Sequence, residues 1–329
     1  MNIHPRPYTG EADLAAILTL KQLCTTPQNI YDRPTGSDLR RLLIPLMAPT
    51  HEHRWQQALC SLSVADRQRA MTQRMTTLWE HGHGDLQAYA LLAQPGRCLT
   101  FQVHPQARGQ GIESEILAWG IAQIEWIART SGAARDLWCR CHAGEPERRA
   151  LLEAARFQPL FEPDLRLVHP LAHPLPQACL PAGFLLKSGV TQHELDAYQE
   201  LHQAVFAGQK MNMDEHLSST YQSDLDLIAV EESGRFAAFC QCELKQVTDL
   251  QGERLVGEVG LIGTRPELRQ HGLGRTLLLI GLSRLRARGA TSAFLETSQS
   301  TGPAQGLFAS VGFTCLSTWQ WYARAVEPV

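Results

Sequence analysis

No stretch of this sequence stays apolar for the ~18–20 residues that a membrane-spanning helix needs. Nor is there a basic excess: 30 Lys+Arg stand against 33 Asp+Glu, a formal net charge of −3. The first absence excludes a helical membrane span within this sequence, and no membrane partner is expected. The second argues against a general nucleic-acid binder, which needs surplus positive charge. Met1–Gly10 is polar and proline-containing, without the apolar centre of a secretion signal. The expected compartment is therefore the cytoplasm, and the nine cysteines are expected as reduced thiols. Paired C-x2–4-C ligands and H-E-x-x-H are also missing, so no metal is expected. Cys139/Cys141 and Cys240/Cys242 have C-x-C spacing instead, which in a strand puts both thiols on one face. Core cysteines are the expectation. Low-complexity tracts are absent as well.

What is present is enough for two domains: 329 residues, 44% hydrophobic. The segment 169–184, HPLAHPLPQACLPAGF, is the richest in proline away from the termini. It predicts an extended linker, with domains at 1–170 and 184–329 joined by 171–183. In the second half, Phe184–Lys187 predicts a strand. Thr191 with Glu194 three residues on predicts a capping box and a helix whose apolar stripe is Leu195, Tyr198, Leu201 and Val205. A helix follows at about Met213–Tyr221. Leu227–Val230 and Phe236–Cys240, around Ser233-Gly234, predict a hairpin. A strand over Leu255–Thr264, a helix with Leu277, Leu278, Leu282 and Leu285 on one face, a stop at Gly289, a strand at Ala293–Glu296, a helix at Ala304–Ser310 and strands over Thr314–Ala323 complete it. The first half echoes this order. Helices are expected at Ala12–Leu23, Ile112–Ala128 and Glu147–Ala155, and strands at Leu86–Leu92, Cys98–Val103 and Leu137–Cys141. Ser37–Trp79 has a mostly helical pattern with no clean hairpin.

Between the Leu255–Thr264 strand and the following helix the chain reads Thr264-Arg-Pro-Glu-Leu-Arg269-Gln-His-Gly272-Leu-Gly274-Arg275. Glycines at a helix N-terminus let backbone N–H groups approach an anion. A dinucleotide fingerprint would need glycine at Leu277, and a P-loop would need Gly-Lys-Ser/Thr, which is absent. That leaves a pyrophosphate loop of the kind acyl-CoA transferases use, or an ordinary strand–helix turn. Arg269-x-x-Gly272-x-Gly274, followed by Pro303-Ala304-x-x-Leu307-Phe308-x-x-x-Gly312-Phe313, resembles in order the two signatures of the GNAT acyltransferase superfamily. The resemblance covers nearly all of Phe184–Val329. Val103-x-Pro105-x-x-Arg108-x-x-Gly111-x-Glu113 resembles the first signature again, with Glu113 where the second glycine belongs, and Arg156-Phe157 stands in place of Gly-Phe. The shifted frame Gln106-x-x-Gly109-x-Gly111 would restore both glycines but misplaces Val103-x-Pro105. The implied fold is α/β (α+β): two tandem GNAT folds, each a mixed, mostly antiparallel sheet flanked by helices, the first one degenerate.

Among tandem members, Gly257-Glu258-Val259 resembles the G-E-V of the mycothiol synthases and their relatives. The resemblance implies an acetyl-CoA-dependent N-acetyltransferase acting on a small-molecule or peptide amine, as monomer or homodimer, with Glu258 as general base. It places the pantetheine arm along Leu261, Ile262, Gly263 and Thr264, with a backbone N–H near Ile262 on the thioester carbonyl. The pyrophosphate falls on Arg269, Gln270, His271, Gly272, Leu273, Gly274 and Arg275, and Thr301 and Phe308 fall beside the cofactor. Three departures stand out. Phe308 replaces the tyrosine that serves as general acid, Thr301 replaces an asparagine, and Cys240-Gln241-Cys242-Glu243 does not match the third-strand segment of mycothiol synthases. The last argues against mycothiol as the product. Two rivals remain: a non-catalytic acyl-CoA-binding module, favoured by Phe308 and Glu113, and an aminoacyl-tRNA-dependent tandem transferase, disfavoured by the intact signature.

Overall fold

The computed structural model describes residues 3–26, 29, 39, 43, 72, 74–82, 84–93, 97–206, 221–249 and 252–327. The chain forms two compact units. One comprises Met1–Pro163, Thr248–Gly252 and Ser317–Val329; the other comprises Asp164–Val247 and Glu253–Leu316.

The first unit contains β1 (Ile3–Pro7), α1 (Glu11–Cys24), β2 (Thr76–His81), β3 (Leu86–Ala93), β4 (Cys98–Val103), α2 (Ile112–Ser131), β5 (Arg135–His142) and α3 (Pro146–Ala154). Its strands run in the order β1-β2-β3-β4-β5, antiparallel except for the parallel β4–β5 pair. Ile112, Ile116, Ile124 and Ala128 of α2 pack with Leu137, Cys139 and Cys141 of β5 into one core. Ile17 and Leu20 of α1 pack with Leu78, Tyr89 and Leu91 into a second. The C-x-C thiols thus face a core, and burial pushes the Cys141 thiol up to about 11, which keeps it protonated near neutrality. β2 corrects the sequence reading at Trp79, because Thr76–Trp79 pairs with Ala88–Leu91 in a hairpin.

The second unit contains β7 (Phe184–Ser188), α4 (Leu195–Val205), β8 (Asp226–Glu231), β9 (Phe236–Asp249), β10 (Gly252–Thr264), α5 (Leu273–Ala287), β11 (Ser292–Ser298) and α6 (Gly302–Val311). The strand order is β7-β8-β9-β10-β11, and β10–β11 is parallel. The capping box forms: Thr191 N–H and Oγ1 donate to Glu194 Oε2 at 2.9 and 2.7 Å. The expected helix at Met213–Tyr221 lies outside the described residues, except for Tyr221. Leu277, Leu278, Leu282 and Leu285 of α5 pack on Cys240, Cys242, Val259 and Leu295. On the opposite face, Tyr198 and Leu201 of α4 pack on Ile228 and Phe239. A Cβ at Gly257 would lie 2.4 Å from Leu285 Cδ1 and 3.0 Å from its Cγ, so this glycine sets how closely α5 approaches β10. Gly257→Ala is expected to lower stability by about 1–3 kcal/mol through overpacking, measured by urea denaturation. Residues 171–183 carry neither helix nor strand, and Leu171 is tied down by bonds from its N–H to Thr291 O and from Arg286 Nε to its carbonyl.

The last strand of each unit comes from an unexpected part of the chain. β6 (Gln158–Pro170) follows α3, yet its residues 164–170 pair antiparallel with β11, as in Phe294↔Val168. β12 (Thr314–Val326) follows α6, yet its residues 319–326 pair antiparallel with β5, as in Tyr322↔Cys139. The final strands expected at Thr314–Ala323 are one continuous strand. A fragment covering only 184–329 would leave β11 without β6, and residues 319–326 of β12 without β5. It is expected to be insoluble or unfolded by circular dichroism, because each loss exposes a row of unpaired ladder groups. A soluble, cooperatively melting fragment would contradict that pairing. Among the described residues no helix is long and apolar enough to cross a membrane.

Candidate acyl-transfer site

The site assembles where β10 and β11 stop pairing. Their register runs over three pairs, from Gly257↔Ala293 to Val259↔Leu295. Beyond it, the side chains of β10 change face. Residues two apart in a strand share a face, so Val259 and Leu261 should point the same way. Instead Val259 and Ile262 join the α5 core and Leu261 joins the α4 core. The residue beyond the next again follows suit: a Cβ at Gly263 would meet Val205 and Phe239 on the α4 side. The side-chain alternation of β10 is therefore broken at Gly260–Leu261, the change of face that one extra residue in a strand produces. Gly263 also lets the C-terminal end of α4 close against the strand, since that Cβ would be 2.4 Å from Val205 Cγ1. The end of β10 is fastened by buried Arg265, which donates to Phe236 O at 2.7 Å and pairs with Glu200 at 2.8 Å.

After β10, Pro266–Leu268 makes one 3-10 turn and Arg269 Nε donates to Thr264 O at 3.4 Å. Gln270 and Gly272 both adopt left-handed backbone, φ 66° and 81°, and α5 begins. No side chain caps its N-terminus, and its first turn carries no acidic residue. The exposed basic side chains there are Arg269 and Arg275, with His271 Nδ1 donating to Arg269 O at 2.8 Å. The missing Cβ of Gly274 would lie 3.5 Å from Thr264 Oγ1 and 3.6 Å from Leu307 Cδ2, placing this glycine between the end of β10 and α6. A helix N-terminus with free choice of partner and positive neighbours is suited to phosphate oxygens.

The first unit repeats this loop almost residue for residue. Pro105–Ala107 makes the 3-10 turn, Arg108 Nε donates to Val103 O at 3.3 Å, and Gly109 and Gly111 are left-handed at φ 71° and 94°. The backbone therefore matches Arg108 with Arg269, Gly109 with Gln270 and Glu113 with Gly274, an offset of 161 in each case. It agrees with the frame that keeps Val103-x-Pro105. Here, however, the Gly109 N–H already donates to Glu113 Oε1 at 3.2 Å. The loop carries its own carboxylate where an incoming anion would bind. Calorimetric titration is expected to give one acetyl-CoA per chain; a stoichiometry near two would contradict the occupancy of the first loop by Glu113.

Glu258 lies on the last paired stretch of β10, 13% exposed, with Oε2 2.5 Å from Lys245 Nζ. Lys245, on β9, also reaches Glu243 Oε2 at 3.3 Å and is itself 7% exposed. Lys245 is not singled out by any motif. Strand alternation could have found it: Cys240, Cys242 and Leu244 pack with the α5 core, which turns Gln241, Glu243 and Lys245 to the face of Glu258. Thr301 sits at the N-cap of α6, its hydroxyl bonded to Thr297 Oγ1 at 2.8 Å and Ser298 O at 2.7 Å. Phe308 is buried, in edge contact with Phe313 at 6.0 Å between centroids. Its ring belongs to the α5 core. The structure thus gathers residues 261–264 and 269–275 at one end of the second unit, with Glu258 one strand segment before them.

Residues 191–313 match the Acetyltransferase (GNAT) family model. Mycothiol acetyltransferase of Streptomyces bingchenggensis is 26% identical over 260 residues, covering 74% of this chain and 79% of that protein. Its counterpart in Thermobispora bispora is 28% identical over 220 residues, 64% and 70% of the two chains. In structure, a GCN5-related N-acetyltransferase from Sphaerobacter thermophilus is similar over 99% of this chain and 96% of its own, with TM-score 0.76 at 19% identity. A tandem GNAT protein from the clavulanic acid biosynthesis pathway matches over the full length of both chains with TM-score 0.64 at 16% identity.

Proposed function

From the membership of residues 191–313 in the acetyltransferase (GNAT) family, we propose that the chain moves an acetyl group from acetyl-CoA to a primary amine by direct attack, using the second unit alone. The observation that carries this reading is the uncapped, acid-free start of α5 at the point where β10 and β11 part. Acetyl-CoA fits that donor set. Its pyrophosphate would be held by the backbone of Gln270–Gly274 with Arg269, His271 and Arg275, and its pantetheine arm by the backbone of Leu261–Thr264, as an added strand would be. When bound, it supplies an activated acyl carbon.

The chain's own residues manage protons. An acceptor amine arrives as its ammonium and is not nucleophilic in that form. Glu258 takes one proton, directly or through water, and frees the nitrogen lone pair. A C–N bond forms, the C–S bond breaks, the sulfur leaves with its electron pair and is protonated by water, and the hydroxide so formed takes the second proton from nitrogen. The net products are an N-acetyl amide, free CoA thiol and one proton. Water suffices for the sulfur because a thiol of ordinary pKa near 8.5 is a good leaving group, so Phe308 need not donate. Accordingly, Phe308→Tyr is expected to change turnover far less than the ~10²–10⁴-fold that general acid catalysis supplies, measured as the initial rate of thiol release.

The acceptor is an amine of a shape set by the α4 face of the sheet, where Glu243, Lys245 and Glu258 lie. The relatives are named for mycothiol, whereas the Cys240–Glu243 segment departs from the pattern of mycothiol synthases. The test is thiol release from acetyl-CoA across a panel of glucosamine, the amine precursor of mycothiol, cysteamine, phenethylamine and a lysine-containing peptide. Amine-dependent release with one of them, and the matching N-acetyl product by mass spectrometry, is expected. Saturable acetyl-CoA binding without release from any amine would favour a binding module instead.

A further inference from the structure

We infer that Lys245 is a positioning residue for the reaction: its ammonium fixes the Glu258 carboxylate and keeps it ionised until the acceptor arrives. The inference deepens the proposed function and rests on Glu258 being the base. Lys245 Nζ lies 2.5 Å from Glu258 Oε2 and 3.3 Å from Glu243 Oε2. With its side chain 7% exposed, the ammonium depends on those two carboxylates in place of water. A buried ion pair at this distance attracts strongly and restrains both partners. A general base needs that restraint, because its oxygen must be within hydrogen-bond reach of the proton it takes. An adjacent positive charge also favours the ionised carboxylate, the only form able to accept a proton. Once Glu258 is protonated, its attraction to Lys245 falls, which favours passing the proton on to water and resetting the site.

Other charged groups share this face. Among the described residues they include Glu243 on β9, Arg254 on β10 by alternation with Glu258, and Glu296 on β11 with its ion-pair partner Arg166 on β6, 2.7 Å apart. Toward the other edge of the same face, Lys187 of β7 pairs with Glu194, Asp226 of β8 accepts from the hydroxyls of Tyr198 on α4 and Tyr221, and His202 of α4 stacks on Phe239. Arg166 bonds Glu296, and Glu243 reaches Lys245. Among the described residues, Lys245 is a positive charge in direct contact with Glu258. Removing it should register at Glu258 before anywhere else.

The test uses the full chain labelled with ¹³C at the glutamate carboxyl carbon. The Glu258 resonance is identified by its loss in Glu258→Gln. In Lys245→Met the Glu258 titration is expected to rise by about 1–3 pH units, and the acid limb of kcat/KM for the fastest amine of the panel should rise with it. Lys245→Arg keeps the charge and should leave both where they are. In a Glu258→Gln background, Lys245→Met should move the acid limb no further. Acetyl-CoA affinity, measured by calorimetry, reports whether each variant is folded. Should Lys245→Met fail to fold, Lys245→Gln, which retains a donor to both carboxylates, takes its place. An unmoved Glu258 titration, or a moved titration with an unmoved acid limb, would overturn the role of Lys245. Full activity in Glu258→Gln would instead overturn the base itself, so the two failures are distinguishable.

Discussion

Glu258→Gln is expected to lower turnover by about 10²–10³-fold while leaving acetyl-CoA affinity unchanged. Glutamine keeps the shape, but it cannot accept the ammonium proton. The affinity should hold because Glu258 stands on the β10–β11 paired stretch, while the Gln270–Gly274 turn at the start of α5 lies beyond it. The defect should shrink as pH rises toward the pKa of the acceptor amine, where the free base is already present in solution. The check is a pH–rate profile of thiol release for both forms, with binding followed separately by calorimetry. A parallel profile, offset equally at every pH, would remove proton transfer from the role of Glu258.

The second large effect is at the helix N-terminus. Gly274→Glu should weaken acetyl-CoA binding about 100-fold or more, equivalent to ~2.7 kcal/mol. The first unit already displays the outcome: Glu113, at the equivalent position, accepts the Gly109 N–H at 3.2 Å. A glutamate at 274 would place its carboxylate against the Gln270 N–H in the same way, repelling the pyrophosphate and occupying its donors. Gly274→Ala separates charge from bulk. Its Cβ would stand at ordinary contact distance, 3.5 and 3.6 Å from Thr264 and Leu307, so the fold should survive and the loss should be much smaller. Equal losses in the two variants would assign the effect to space alone.

The parts of the molecule that the sequence made legible are those whose pattern and partner are local. The β8–β9 hairpin was legible from Ser233-Gly234, with Gly234 at φ 87°. The helix α5 was legible from its leucine stripe, and the turn before it from three residue types at fixed spacing. The two copies of that turn could be placed in one frame from Val103-x-Pro105, and matching left-handed residues support the choice. What stayed hidden depends on distant partners. β6 contains Pro159, Pro163 and Pro170, residues that argue against a strand. It forms because β11, more than 120 residues later in sequence, offers an edge to its 164–170 stretch. β2 was masked by a helical-looking neighbourhood and is fixed by pairing with both β1 and β3. The boundary near 170 reflects composition, whereas the compact units exchange their last strands, and composition carries no record of that. Glu258 was singled out by its Gly-Glu-Val resemblance. Lys245 lies in no motif, although strand alternation places it on the face of Glu258, which it contacts.

The central claim is that the second unit transfers acetyl to an amine through an anion-binding turn that the first unit has closed. It is tested most directly by measuring thiol release from acetyl-CoA across the amine panel, with wild-type protein and Gly274→Glu side by side. The predicted result is amine-dependent release by wild type, accompanied by the N-acetyl product and nearly abolished in Gly274→Glu. Release that persists undiminished in Gly274→Glu, or wild-type protein that binds acetyl-CoA and releases no thiol with any amine, would contradict it.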